Sequence, residues 1–588
     1  MALLLQSCNV RMALKKERTS GRVRPMKLII IHYHLRPGGI RRIIELATPH
    51  LVRQFKEKIE AVVLATGERA DQSWVKLFQR QMADLPLVWF VDPAFNYLSE
   101  QKQSPQQIDK QLSRGLEELL VGATPDNALI WAHNLGVGRN LLLTRALTSV
   151  CAGRGLKLVL HHHDWWFDNR WRRWPEMRRS GFGTLSAAAK AIFPVAASVR
   201  HLAINRSDAA PLQREYQKCA GWLPNLVERG KLPLAARVKS ARKWLSSAAL
   251  GVHPLGCPDS RSTSPDTLKG GHRTASVRQL RAAKVPDSSL AASSLAAPIW
   301  ILPCRMLRRK NVAEALLLTR WLRPEAWLVT TGGASSADEQ SYFDQIASAA
   351  RRHGWPLRLG ILQGDETHKP TVAELLAASE AVLLTSIQEG FGLPYLEAAA
   401  AGRPLIARAL PNVAPDLEQF GFRFPQYYDE IQIDPALFDW VTERQRQTKL
   451  FRSWRQRLPR AAQGLAGQPV LLAGGGRPRP VPFSRLTLAA QLEVLAQPAG
   501  DSWSQCAPLN PFLSVWRRRS AAGTLQATRW PRGADRWLSG PAYAQRFADL
   551  ALRPVKRPAS SAAGQAVQQA VLREKLRAEH LFPLLWDR

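Results

Sequence analysis

The sequence predicts two α/β units, each a parallel β-sheet covered by helices on both faces, with a cleft between them. Three observations predict this. Short apolar runs alternate with stretches of helical apolar spacing over residues 27–204, and the same alternation resumes over 299–407. Between the two, over 229–297, the periodicity collapses into Ser, Ala, Pro, Gly and basic residues. The chain of 588 residues has room for two or three domains that each bury their own core.

In the first unit, KLIIIHY at 27–33 is an apolar run that ends in a glycine turn, and IRRIIELATPHLV after it has helical apolar spacing. Strand, turn and helix follow. Apolar runs at 60–65, 86–91, 128–132, 156–161 and 200–204 predict further strands, with amphipathic helices at 72–84, 106–121 and 139–150. In the second unit, IWIL at 299–302 precedes a helix over 311–322, a strand over 326–330, a helix near 337–352 and a strand near 357–362. A helix at 371–379, a strand at 381–384, a helix at 393–401 and a strand at 403–407 complete it.

The resulting division is 1–25 as a disordered extension, 26–228 as the first unit, 229–297 as a mobile basic linker or insert, 298–454 as the second unit, and 455–588 as an extension without an assignable role. Residues 451–588 read as poorly folded overall, although 483–496 and 541–551 have helical spacing; GLAGQPVLLAGGGRPRPVP reads as loop.

The 82 Lys and Arg against 47 Asp and Glu give a formal charge of +35, which suits phosphates, anionic headgroups or nucleic acid. No base-reading motif accompanies the charge, so specific nucleic-acid binding is not expected. Cysteines at 8, 151, 219, 257, 304 and 506 include no pair at the spacing of a metal or redox motif, which predicts reduced thiols in a cytoplasmic protein. The N-terminal MALLLQSC lacks a basic stretch before its apolar residues, and no apolar run approaches the roughly 20 residues of a membrane-spanning helix. Peripheral contact with an anionic membrane stays open.

The chemistry concentrates in TSIQEGFGLPYLEAAAAGRPLI, residues 385–406. Ligands of open parallel sheets bind beyond the carboxyl ends of the strands, which is where this segment begins. Glu389, Gly390, Phe391, Gly392, Leu393 and Pro394 follow the strand, and Glu397 lies in the helix after them. The glycines let backbone approach a ligand closely, and free amides at a helix start favour an anion such as a diphosphate. Two carboxylates at this spacing alone are also what a solvated loop and an exposed helix face would show.

The whole string resembles the EGFGLP…EA…A.G.P signature of retaining glycosyltransferases with the GT-B fold, glycosyltransferase family 4 in particular. The resemblance covers 298–420 well and 27–225 loosely. It implies that Glu389 contacts a donor sugar, that the amides of Gly390, Phe391, Gly392 and Leu393 surround sugar and phosphate, and that Glu397 holds a ribose. It also implies a diphosphate clamp by Arg305 and Lys310 in PCRMLRRKN, where Cys304 replaces the family's glycine and Arg308 and Arg309 are competing candidates. Gly38 and Gly39, after the first strand, correspond to a loop that approaches the donor phosphates, or serve only a tight strand-to-helix turn.

The run His161-His162-His163-Asp164 closes a strand. Neighbours on a strand point to alternate faces and no other His or Cys stands at a ligand spacing, so no metal is expected. By resemblance His163, before Asp164, faces the donor sugar; a structural histidine is the alternative. Asn134 in HNLGVGRN contacts donor or acceptor, or caps a turn.

The implied activity is metal-independent, retaining transfer of a sugar from a nucleotide sugar to a hydroxyl of a glycan, a lipid-linked glycan or a small molecule. A GT-B-like nucleotide-sugar epimerase, a catalytically silent scaffold and a basic polyanion-binding protein are the alternatives.

Overall fold

The structure, a computed structural model, describes residues 25–586 apart from 56–58, 83–84, 169–170, 228–232, 251–296, 335, 364–368 and 556–557. Expectations for 1–24 and for most of the insert at 229–297 therefore lie outside the described residues.

The first unit runs β1 (Met26–Ile31), α1 (Gly39–Gln54), β2 (Ile59–Thr66), α2 (Gln72–Gln81), β3 (Leu87–Val91), α3 (Pro105–Leu119), β4 (Ala128–His133), α4 (Leu141–Gly153), β5 (Lys157–His162), α5 (Leu185–Ile192), β6 (Val199–Ala203), α6 (Arg206–Tyr216) and β7 (Ala220–Trp222). Its strands pair in the order β3-β2-β1-β4-β5-β6-β7, all parallel. Strands covered on both faces need apolar side chains in both directions, which is why they read as continuous apolar runs rather than alternation. Ile29 and Ile31 accordingly face one core, and Leu28 and Ile30 the other.

A helix, α7 (Ala235–Leu250), lies inside the segment read as a linker. Its buried Ala241 and Leu245 join the core of the second unit. That unit comprises β8 (Ile299–Leu302), α8 (Val312–Leu322), β9 (Trp327–Thr330), α9 (Ala337–His353), β10 (Leu357–Arg358), α10 (Val372–Ala378), β11 (Ala381–Leu384), α11 (Leu393–Ala400), β12 (Leu405–Arg408) and β13 (Gln426–Tyr428). The sheet order is β10-β9-β8-β11-β12-β13, again parallel. The strand expected near 357–362 is cut to two residues, because the chain turns away at Gly360 with φ +66°.

The reading of 451–588 as poorly folded is corrected. It is mostly helical: α12 (Trp440–Arg457) leads into it, followed by α13 (Leu488–Ala496), α14 (Ala499–Cys506), α15 (Pro511–Ala521), α16 (Gly540–Ala551) and α17 (Ala563–Lys575). Residues read as loop include a short helix, Val470–Ala473, and a two-residue strand, Val481–Pro482, paired with Gln432–Ile433. The segment serves both units. Leu488, Leu495, Leu513 and Trp516 bury against the second core, while Tyr543, Phe547, Val567 and Leu572 bury against the first. Arginine-rich composition hides this, since arginine side chains pack on aromatic neighbours, as Arg517 does on Trp503, and Arg485 is itself buried. Among the described residues no helix is long and apolar enough to cross a membrane.

Candidate active site

Both sheets reverse strand order at their centre, between β1 and β4 and between β8 and β11. Such switch points open a crevice at the carboxyl ends of the strands. The candidate site occupies both crevices.

In the second unit, β8 ends in a loop whose last turn, Arg308–Lys310, is a 3-10 helix followed by Asn311 in the left-handed region at φ 47°. Thr385 Oγ1 donates to the carbonyl oxygens of Lys310 and Asn311, each at 3.0 Å, and so ties this turn to the end of β11. The result aims Lys310 and Arg309 at Glu389. Lys310 Nζ forms an ion pair with Glu389 Oε1, and Arg309 Nη1 donates to Glu389 Oε2 at 3.1 Å. Lys310 and Glu389 are each 8% exposed, so this is a desolvated cluster rather than a surface pair. Burial pushes the Glu389 carboxyl up, but Lys310 and Arg309 outweigh it and bring it down to about 2.

The loop after Glu389 abuts the first unit. A Cβ on Gly390 would stand 2.9 Å from the His163 carbonyl oxygen and 3.1 Å from Ile204 Cδ1. Asn205 Nδ2 donates to the Gly390 carbonyl at 3.0 Å, and Asn412 Nδ2 to that of Glu389 at 2.6 Å. Gly392 caps α11 with φ +78°, and a Cβ there would lie 2.6 Å from Tyr395 Cδ2 and 2.9 Å from Val413 Cγ1. Gly392→Ala is therefore expected to destabilise the protein by at least about 1–2 kcal/mol from the left-handed backbone alone. Thermal melts check this; an unchanged midpoint refutes it. Phe391 turns its ring into the core beside Leu393, leaving backbone as the part of this pair that can serve a ligand. Glu397 is half-buried on α11, and burial raises its pKa against the pull of Arg42, on α1, and Lys310.

Arg305 lies apart from this cluster. It is half exposed and donates to Glu339 Oε1 of α9 at 2.7 Å, while Arg309 takes the place beside Glu389. Arg308 stacks its guanidinium over Tyr342 at 5.2 Å.

Across the cleft, Asn134 sits in the left-handed region at φ 56°, and its Oδ1 accepts from the Asp164 amide at 2.9 Å and the His163 amide at 3.3 Å. Its Nδ2 donates to Asp164 Oδ2 at 3.3 Å. Asn134 thus shapes the loop that presents His163 and Asp164. Gly38 and Gly39 are exposed, and a Cβ would meet nothing closer than the Arg36 carbonyl at 3.8 Å on the first and nothing within 4 Å on the second. Packing among the described residues does not demand glycine at either position.

One cavity brings together His163, Asp164, Arg309, Glu389 and Gly390 with Asp168, Asp208, Gln388, Asn412 and Lys575. The last five were not singled out from the sequence. Asp208 sits in the first turn of α6 beside its cap Asn205, whose Nδ2 donates to Asp208 Oδ2 at 2.8 Å, so an N-cap signal marked it. Lys575 ends α17 and pairs with Asp168 Oδ1 at 3.1 Å and Asp208 Oδ1 at 3.9 Å. No local sequence signal marks it, because only the return of the C-terminal segment to the first unit places it there.

The histidine run also differs from expectation. Alternation holds, with His162 on one face beside His201 at 3.2 Å and His161 and His163 on the other. The premise that no further histidine stands nearby is corrected, however. Parallel register sets His133 on β4 opposite His161 on β5, and His133 Nδ1 lies 3.2 Å from His163 Nε2.

Burial pulls the ring pKa of His32 down to about 3 and that of His201 to about 4, from an ordinary 6.5. With folded values below the unfolded one, stability is complete above about pH 6.5 and is lost as pH falls below it. Melting temperature is expected to drop between pH 7 and 5, at up to about 1.4 kcal/mol per pH unit for each such ring. A flat profile over that range refutes it.

Residues 296–426 match the family Glycosyl transferases group 1. Mannosylglucosyl-3-phosphoglycerate synthase of Petrotoga mobilis is 21% identical over 430 residues, which cover 71% of this chain and 71% of that one. Among solved structures, sucrose-phosphate synthase from Thermosynechococcus elongatus aligns over 89% of this chain and 98% of its own at 14% identity and TM-score 0.44. A glycosyltransferase from Rickettsia africae aligns over 91% of this chain and 99% of its own at 10% identity and TM-score 0.44. Two facing parallel-sheet units and a family match that spans the Lys310–Glu389 cluster define a glycosyltransferase. More particularly, the second unit is the part that matches the group 1 family.

Proposed function

We propose that the protein transfers a sugar from a nucleotide-sugar donor to an acceptor hydroxyl with retention at the anomeric carbon, in the manner of glycosyltransferase family 4. The observation that carries this reading is the buried Glu389 carboxylate held between Lys310 and Arg309 at the carboxyl edge of the second sheet. Breaking the anomeric C–O bond leaves its electron pair on the departing diphosphate. Cations already fixed in a desolvated cleft stabilise that charge without reorganising, so no metal ion is required at the diphosphate. Lys310 and Arg309 fill this role, and Arg305, at the rim, joins when the donor draws it from Glu339. Glu389 orients the two cations and accepts from sugar hydroxyls, the amides of Gly390 through Leu393 surround sugar and phosphate, and Glu397 holds the ribose.

The acceptor hydroxyl attacks on the face that the diphosphate leaves, and its proton passes to a leaving phosphate oxygen. Asp164, Asp168 and Asp208 on the opposite wall offer carboxyl oxygens that can accept from acceptor hydroxyls. Peripheral docking at an anionic membrane accords with the +35 charge.

The test is nucleoside diphosphate release from a panel of nucleotide sugars, with neutral glycans, lipid-linked glycans and, in view of the Petrotoga relative, phosphoglycerate glycosides as acceptors. Anomeric configuration of the product is read by NMR. If no donor binds or turns over and Glu389→Ala behaves as wild type, the reading fails; an inverted product leaves transfer standing and removes retention.

A further inference from the structure

Behind the cleft, His163 is joined by two further buried histidines, His133 and His161, that the transfer chemistry above does not use. The geometry of the trio follows from strand periodicity. His161 and His163 share one face of the strand end because they are two residues apart, and the register of β4 against β5 adds His133 to that face. Ring centroids lie 4.4 Å apart for His161 and His163, and 5.4 Å for His133 with each of them. One nitrogen from each ring falls within 4.8 Å of the other two, and all three residues are buried. We propose that His133, His161 and His163 form a binding site for a divalent transition-metal ion of the zinc class.

Hydrogen bonding within the trio does not account for the arrangement. The His133–His163 contact satisfies one nitrogen on each ring, whereas among the described residues His133 Nε2 and at least one nitrogen of His161, whose ring has the Leu223 backbone beside it, have no hydrogen-bond partner. Each buried polar atom left so costs about 1–3 kcal/mol, so those gathered around one spot point to an occupant.

The donor set selects the occupant. Three imidazoles suit zinc, copper, nickel or iron(II) and not magnesium or calcium, which take oxygen ligands. Bonds of about 2.0 Å in a tetrahedral site put ligand nitrogens roughly 3.3 Å apart. His133 Nδ1 and His163 Nε2, at 3.2 Å, already meet that spacing. His161 closes the rest by a modest ring shift. His163 also lines the cavity beside Glu389, so the ion enters from the cleft.

The test strips the full-length protein of metal with a chelator, adds Zn2+ or Co2+, and measures bound metal by elemental analysis and Co2+ visible absorption. One ion per chain with tetrahedral-strength bands is expected, weakened about 100-fold or more in His133→Ala and in His161→Ala. His353→Ala, at an exposed position, should bind as wild type. Should the cluster variants fail to fold, zinc-edge X-ray absorption of the wild-type protein reads the ligands directly, with three nitrogens at about 2.0 Å expected. Substoichiometric uptake, sulfur ligation, or equal binding in a folded His161→Ala protein overturns the site.

Discussion

Lys310→Met is expected to lower kcat about 100- to 1,000-fold, read as nucleoside diphosphate release, with a much smaller change in donor KM. The asymmetry follows from where the charge develops. The bound donor already carries a diphosphate whose charge several groups share, whereas the transition state adds negative charge at the bridging oxygen. A buried ammonium stabilises that increment most. Methionine keeps the stem length and the packing of a side chain that is 8% exposed, so the loss reports the charge rather than a cavity. Lys310→Arg should restore only part of the rate, since a planar fork does not replace a point charge.

The same substitution has a second readout. Glu389 is held at about 2, below an ordinary 4.5, so its contribution to stability is present above about pH 4.5 and is lost as pH falls through about 2. That contribution is of order 3 kcal/mol. Without Lys310 the Glu389 pKa rises, and the acid limb of both stability and activity moves to higher pH. If kcat stays within a few-fold of wild type and the acid limb does not move, the assignment of Lys310 is wrong.

What could be read from the sequence followed from how local each signal is. Fully buried parallel strands must be apolar on both faces, so β1, β4, β8 and β11 stood out as runs such as IWIL. The Glu389 loop was legible because its requirements are local as well: a glycine pair, a helix start and carboxylates on either side. Choosing among four basic residues at 305–310 was not. A 3-10 turn ending at left-handed Asn311, rather than spacing, puts Arg309 beside Glu389 and Arg305 beside Glu339. His133 stayed hidden because strand register is a property of the sheet. Lys575 stayed hidden because its place depends on how α17 crosses back to pack on α5 and α6. The helices beyond Arg457 were misjudged because the segment as a whole is divided, with α13 and α15 buried on the second core and α16 and α17 on the first. Their apolar residues are spread over two cores, so no single stretch has the density of a self-contained domain.

Arg408→Met is expected to cost about 3–5 kcal/mol, measured as a shift in denaturant midpoint at pH 7. Arg408 bridges two carboxylates: its Nη2 donates to Glu314 and its Nη1 to Glu430, and both Arg408 and Glu314 are buried. Other donors complete the network. Tyr428 Oη donates to Glu314 Oε1 at 2.6 Å, Asn311 Nδ2 to Glu314 Oε2 at 2.8 Å, and Ser484 Oγ to Glu430 Oε2 at 2.6 Å. Burial already raises the Glu314 carboxyl above its ordinary range, with Arg408 the main restraint. Removing that restraint leaves a charge with neutral donors only, and the side chain must take up a proton or drag water inward. The network ends at the active site, because Asn311 follows Lys310 and is fixed by Glu314. Loss of Arg408 should therefore loosen the Lys310 turn and lower kcat even in the folded population. The double variant Glu314→Gln with Arg408→Met discriminates the cause. If the cost is an uncompensated buried charge, the double variant is more stable than Arg408→Met alone; if the cost is lost packing, the two substitutions add.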